Sequence, residues 1–207
     1  MTYDKDRLTL AAYLAEYLSF SMKREDAERA AVGLSRKYGT LGVLFSSSLD
    51  ELASTEGMND QSALSVKLLG YIYSRSVTDS FKLGRVHTEE EIREYFTALF
   101  LGLSIETVYC LSLDERGRAV ASDYLGEGTV NSTEIYPRRV LECASRNRAK
   151  SIILAHNHPK GTVCASAEDK AATEYIKCVL RDAGIKLVAH YLVSDGKCAE
   201  INTYLNT

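Results

Sequence analysis

Residues 153–170 read ILAHNHPKGTVCASAEDK, an apolar run that closes on two histidines one residue apart, followed by a Pro/Gly turn and an acid behind a serine. Side chains alternate across a β-strand, so an extended segment at 151–155 projects His156 and His158 from one face, where a single cation can meet both. Pro159 and Gly161 break the strand, and Ser166-Ala167-Glu168-Asp169 reads as the first turn of a helix that returns Asp169 toward the imidazoles. Two imidazoles and a carboxylate are a common ligand set for a hydrolytic zinc, with the fourth position left to water. Ser166 three residues before an acid is also an ordinary capping box that needs no metal, and strand-end histidines are often polar surface. The whole conjunction of strand, H-x-H, turn and capped acidic helix favours the metal site.

His156-Asn157-His158-Pro159, Gly161, Ser166 and Asp169 together resemble the JAMM (MPN+) metalloprotease motif, in its RadC-like branch. Gly128-Thr129 and Tyr136-Pro137-Arg138 are similar to the G-T and P-R positions of RadC proteins, so the resemblance covers about residues 89–207. It implies an α/β fold: a three-layer, cytidine-deaminase-like JAB/MPN domain with a mixed sheet over residues 86–207, preceded by a small all-helical, helix-hairpin-helix-like domain over residues 1–80. It also implies Zn²⁺ as cofactor on His156, His158 and Asp169, and isopeptidase-type hydrolysis in which a glutamate on an earlier strand is the fourth essential residue. By position that residue is Glu106, which opens the strand-like run 106–113. Glu127, in a turn beside Gly128, is the rival, and a turn is poorly suited to holding catalytic geometry. Like the matching serine of JAMM enzymes, Ser166 would donate to the oxyanion of a tetrahedral intermediate, an interaction worth about 3 kcal/mol in comparable sites. Asn157 faces the opposite side of the strand and is expected to fix the turn.

Composition agrees with an ordinary globular chain: 207 residues at 45% hydrophobic content suffice for one domain or two small ones. No apolar run approaches the roughly 20 residues that span a bilayer, and the N-terminus carries acids where a signal peptide begins basic, so a cytoplasmic protein with no membrane partner is expected. Five cysteines without a C-x-x-C pair indicate neither a disulfide framework nor a thiolate zinc knuckle. Cys164 stands between His158 and Asp169, where RadC relatives usually carry a proline-containing segment. His87 and His190 read as structural histidines outside the site.

Residues 1–75 read as helices, the first with Leu8, Ala11, Ala12, Ala15 and Leu18 on one face and the second spanning 24–37 before a Gly39 cap. Residues 41–52 supply apolar side chains, Glu56-Gly57-Met58-Asn59 turns, a further helix is expected over 62–74, and the polar stretch 76–80 reads as a linker. Where RadC relatives carry a G-x-G hairpin that offers N–H groups to a phosphate, this chain has Gly57-Met58-Asn59-Asp60: the second glycine is missing and an acid follows. Residues 1–80 carry nine Lys/Arg against eleven Asp/Glu, and the remainder sixteen against seventeen. Without a basic footprint, DNA binding has little support, and the helical unit reads as a packing or protein-contact module. From residue 89 the pattern is mixed: a helix over 89–99, a hairpin of 106–113 and 118–125, a helix from Pro137, the ligand strand, a helix over 169–182, a strand over 185–193, and a last strand after an Asp195-Gly196 turn.

Three functions compete on this reading. The first is a zinc metallopeptidase acting on a protein or peptide substrate. The second is a DNA-repair-associated factor, which the charge count disfavours, and the third is an MPN-type interaction module without turnover, which the complete ligand set disfavours.

Overall fold

The first third of the chain folds as α1 (Thr2–Ser19), α2 (Arg24–Tyr38), α3 (Leu41–Ser46), α4 (Leu49–Ala53) and α5 (Asp60–Ser80) in a computed structural model that describes residues 2–127, 135–159 and 162–202. Gly128, Thr129 and Gly161 lie outside the described residues. Two units are resolved, Met1–Arg75 and Ser76–Thr207. In the first, α2 buries Ala27, Ala30, Ala31 and Leu34, an i, i+3, i+4, i+7 stripe of small residues that permits close helix packing. Gly39 ends it as read from the sequence, at φ 73° with its N–H on the Ser35 carbonyl. The expected face of α1 is displaced: Leu14 and Leu18 are buried, whereas Leu8 is 70% exposed and Ala12 is exposed. Alanines define a periodicity but little apolar area, and the leucine pair one turn apart wins the core.

The 57–60 segment is a tight joint. Gly57 adopts φ +81°, and a Cβ there would lie 3.0 Å from the Ala30 nitrogen, so both conformation and contact require glycine. Asn59 caps α5: its Oδ1 accepts from the Ser62 N–H at 2.9 Å, and its own N–H donates to Ser62 Oγ at 2.9 Å. The stretch expected as a linker is helical and continues α5 through the unit boundary. Polar residues do not stop a helix when neither glycine nor proline intervenes, and 71–80 contains neither.

The second unit is α6 (Glu89–Leu99), β1 (Thr107–Leu113), β2 (Ala119–Glu127), α7 (Ile135–Arg146), β3 (Ser151–Asn157), α8 (Ala167–Asp182), β4 (Lys186–Ser194) and β5 (Lys197–Glu200). The strands order β2-β1-β3-β4-β5. β3 and β4 are parallel and every other neighbouring pair is antiparallel, so the sheet is mixed, with β3 at its centre. Strand alternation sorts the core into two layers. Val108, Cys110, Ile152 and Leu154 pack with Val140, Ala144, Ile176 and Leu180 of α7 and α8. Leu111, Leu113, Ile153, Ala155 and Tyr191 pack with Ile92, Tyr95 and Phe96 of α6. The result is helix, sheet, helix, the three-layer α/β arrangement that the resemblance implies. Thr88 and Glu91 form a capping box on α6. Asp195 (φ 50°) and Gly196 (φ 71°) make the β4–β5 hairpin turn. Among the described residues no helix is long and apolar enough to cross a membrane.

Candidate metal centre

β3 alternates Ile152, Leu154 and His156 toward α7 and α8, which carries the His156 ring into the interior at the end of an apolar strand. The residue is fully buried. His158 follows just beyond the strand, its N–H on the Val193 carbonyl at 2.9 Å and its carbonyl accepting from Ser194 Oγ at 2.9 Å. The end of β4 therefore holds the second histidine. The two rings lie 5.0 Å apart between centroids.

α8 begins where the sequence placed it. Ser166 and Asp169 form the capping box: the Asp169 N–H donates to Ser166 Oγ at 3.0 Å, and Asp169 Oδ2 accepts from the Ser166 N–H at 2.8 Å. Ser166 Oγ also donates to Asp169 Oδ2 at 2.7 Å. The cap aims the carboxylate at both histidines, with Oδ1 3.4 Å from His156 Nε2 and Oδ2 3.6 Å from His158 Nε2. Capping and convergence on the imidazoles thus coexist in one side chain. Burial alone would raise the Asp169 carboxyl; the His156 ring and the Ser166 hydroxyl and N–H hold it well below the usual carboxylate range.

Glu106 immediately precedes β1. The antiparallel register sets Val108 opposite His156, and continuing it outward brings Glu106 beside His158. Glu106, His156 and His158 each offer a ligand atom within 4.8 Å of the others. Asn157 secures this approach: its Oδ1 accepts from the Thr107 N–H at 2.8 Å, and its Nδ2 donates to the Ile105 carbonyl at 3.2 Å. The expectation that Asn157 fixes its own turn gives way to a longer-range role, in which it clamps the main chain on both sides of Glu106. Asn157→Ala leaves the buried Thr107 N–H without its acceptor and is expected to cost about 1–3 kcal/mol. A urea titration of the purified variant measures it, and an unchanged midpoint would show the clamp to be idle. Glu127 ends β2 as an exposed residue paired with Thr107, across β1 from the histidines. It is not in the cluster.

The structure adds two residues that the sequence reading left out. His190, on β4, places its Nε2 2.9 Å from His156 Nδ1, and its Nδ1 lies 2.7 Å from Thr173 Oγ1 on α8. No local pattern marked them: His190 sits in an apolar strand like any core histidine, and its relevance arises only once β4 is known to lie beside β3. His87, the other histidine set aside, stacks on Phe81 at 3.8 Å, away from this cluster.

Comparison with known proteins matches the RadC-like JAB domain over residues 86–203, more than half of the chain. The chain belongs to the RadC-like JAB domain family. Relatives extend the likeness beyond that domain. A UPF0758 protein of Janthinobacterium sp. (strain Marseille) is 29% identical over 90% of this chain and 84% of its own length. One from Cupriavidus taiwanensis is 31% identical over 87% and 81%, and one from Photobacterium profundum is 29% identical over 95% and 88%. In this RadC-like domain the donor set fits a metal ion, since imidazole nitrogens and carboxylate oxygens converge. The fit has a local sign: among the described residues His156 Nε2 is buried with no hydrogen-bond partner, an arrangement that costs free energy unless something else meets that nitrogen. Cys164, shortly before α8, is exposed.

Proposed function

We propose that this RadC-like protein is a zinc-dependent hydrolase of the JAMM type, a metallopeptidase or isopeptidase acting on an amide bond in a protein or peptide. His156, His158 and Asp169 are the ligands and Glu106 the general base. The observation that carries this reading is the buried Nε2 of His156, without a hydrogen-bond partner among the described residues, within a group of converging imidazoles and carboxylates. Burial supports the division of roles. The side chains of His156 and Asp169 are 0% and 7% exposed, that of His158 is 23% exposed, and Glu106 is half-buried. The carboxylate on the open side is the one that a substrate and its water can reach.

His156, His158 and Asp169 would hold the zinc, which when bound would supply a water of pKa about 7 as the nucleophile. Glu106 accepts the proton of the attacking water and returns it to the departing nitrogen, because an amide anion is too poor a leaving group to depart unprotonated. Ser166 has one hydroxyl proton, which here goes to Asp169 Oδ2. In the reaction the hydroxyl turns that proton to the developing oxyanion, while its oxygen continues to accept the Asp169 N–H. The test is the metal content of purified protein by atomic absorption, together with cleavage of a peptide and isopeptide library. About one zinc per chain and cleavage lost on chelation are expected. Protein that takes up no zinc, or cleavage indifferent to chelation, overturns the proposal.

The N-terminal unit is proposed to serve packing or protein contacts rather than DNA. Beyond the acidic balance, the Met58 N–H donates to the Thr55 carbonyl at 2.9 Å and the Asn59 N–H to Ser62 Oγ, so two of the hairpin donors are already engaged. Fluorescence anisotropy with duplex and branched DNA is expected to show no appreciable binding at physiological salt. Tight binding that weakens steeply as salt rises would restore the repair-associated reading.

A further inference from the structure

We propose that the end of the sheet opposite the metal centre is a docking surface for an acidic protein segment, a short run of aspartates and glutamates on a partner chain. Nothing in this inference depends on the metal reading.

Three stretches of chain meet at that end: the β1–β2 turn (114–118), the end of α7 with its link to β3 (146–150), and the end of α8 with its link to β4 (181–186). Main-chain bonds hold them side by side, with the Lys150 N–H on the Leu113 carbonyl at 2.9 Å and the Lys186 N–H on the Lys150 carbonyl at 3.1 Å. These stretches contain seven of the chain's 25 Lys/Arg but only three of its 28 Asp/Glu. A chain of net charge −3 thus gathers a local positive excess, and the rest of it is more acidic than the total suggests. Three of the seven cations are answered within the fold: Arg118 by Asp114 at 2.6 Å, Arg146 by Asp123 at 2.7 Å and Arg181 by Asp182 at 3.7 Å. Arg116, Arg148, Lys150 and Lys186 are exposed and have no acidic partner among the described residues.

Arg148 gives a second, independent indication. Just past the end of α7 its φ is 53°, and the Ala149 N–H turns back to the Ala144 carbonyl at 2.8 Å. This is the left-handed helix stop that glycine fills most readily, so an arginine there keeps an unanswered cation in place against backbone strain. Asn147 fixes the loop beside it, donating to Ser112 Oγ at 3.0 Å and to Asp123 Oδ2 at 2.6 Å.

The dimensions and the chemistry select the partner. Neighbouring strands lie about 4.8 Å apart, so the ends of β1, β3 and β4 together span roughly 10 Å, the reach of about three extended residues. Guanidinium groups meet carboxylates through paired, charge-assisted hydrogen bonds. A nucleic acid fits less well: none of these loop residues is aromatic, which leaves bases nothing to stack on, and the field of the acidic remainder of the chain opposes a long polyanion.

The test is fluorescence anisotropy of the full-length protein with a labelled octaglutamate peptide, and in parallel with a labelled DNA duplex. The peptide is expected to bind at low salt and to be released as salt rises. Arg148→Glu combined with Lys150→Glu is expected to weaken it about tenfold. Arg24→Glu combined with Arg29→Glu, the same change of charge placed on α2, should weaken it far less. Arg148→Gly removes one cation while relieving the left-handed backbone, so it tests the surface without endangering the fold; about two- to fivefold weaker binding is expected, with no fall in the urea midpoint. The proposal is overturned if the peptide does not bind at low salt, if the loop and α2 reversals weaken it alike, or if Arg148→Gly binds as wild type does. Tighter binding of the duplex than of the peptide, lost in the Arg148 and Lys150 reversal, would assign the surface to nucleic acid instead.

Discussion

Glu106→Gln is expected to keep one zinc per chain and a native fold while hydrolysis falls by about 10²–10⁴-fold, the range over which a positioned acid–base group acts. The amide reproduces the shape of the carboxylate, and the Asn157 clamp that holds residues 105 and 107 touches only main chain. Glu106→Gln therefore removes a proton acceptor and little else. Single-turnover cleavage of a library substrate, with metal content measured on the same sample, reads both halves of the expectation. Glu127→Gln, at the exposed end of β2, is the control and is expected to be nearly silent. Loss of zinc in Glu106→Gln would make Glu106 a ligand, since its carboxylate shares the 4.8 Å cluster with both histidines. Normal turnover would remove it from the chemistry.

His156→Ala, His158→Ala and Asp169→Ala are each expected to lose zinc on dialysis, because a centre with three protein ligands has none to spare. The Asp169 variant separates two functions that its side chain performs at once. If the carboxylate only caps α8, its loss costs about 1 kcal/mol of stability and zinc is retained. If it is also a ligand, the metal goes too. Atomic absorption after dialysis, paired with a denaturation curve, distinguishes the two, and full occupancy in any two of the three variants would overturn the ligand assignment.

Much of this architecture is legible in the sequence because its signals are local. The H-x-H spacing, the Ser166–Asp169 box, the Asp195-Gly196 turn and the β-branched and aromatic residues of 106–113 each act over a few residues. The sequence favours Glu106 over Glu127 as the residue opening the strand-like run 106–113, with Glu127 read in a turn. The structure instead sets Glu106 one residue before β1 and Glu127 inside β2, and what separates the two is the pairing of β1 with β3, which brings Glu106 and not Glu127 to the histidines. What stayed hidden depends on neighbours. The partnership of His190 with His156 requires knowing that β4 runs parallel beside β3, and the reach of Asn157 to Thr107 requires the β1–β3 pairing. The buried face of α1 went to leucines whose competition with alanine no periodicity records. The stretch 76–80 was assigned to a linker by polarity, although polarity is equally the mark of a helix face in water.

The central position of β3 has a consequence for how the site comes into being. His156, His158, Asp169, Thr173 and His190 all belong to one continuous strand–helix–strand crossover, β3–α8–β4. Glu106 arrives separately, through the pairing of β1 with β3, whose nearest partners Leu113 and Ser151 are 38 residues apart against 35 for Ser151 and Lys186 of the crossover. The two closures cost about the same chain entropy, so neither is bound to come first. The residues that would grip a cation and the carboxylate that would use it nonetheless meet only through β3, and a lesion that frees β1 from the sheet would leave the whole set of ligands without its base.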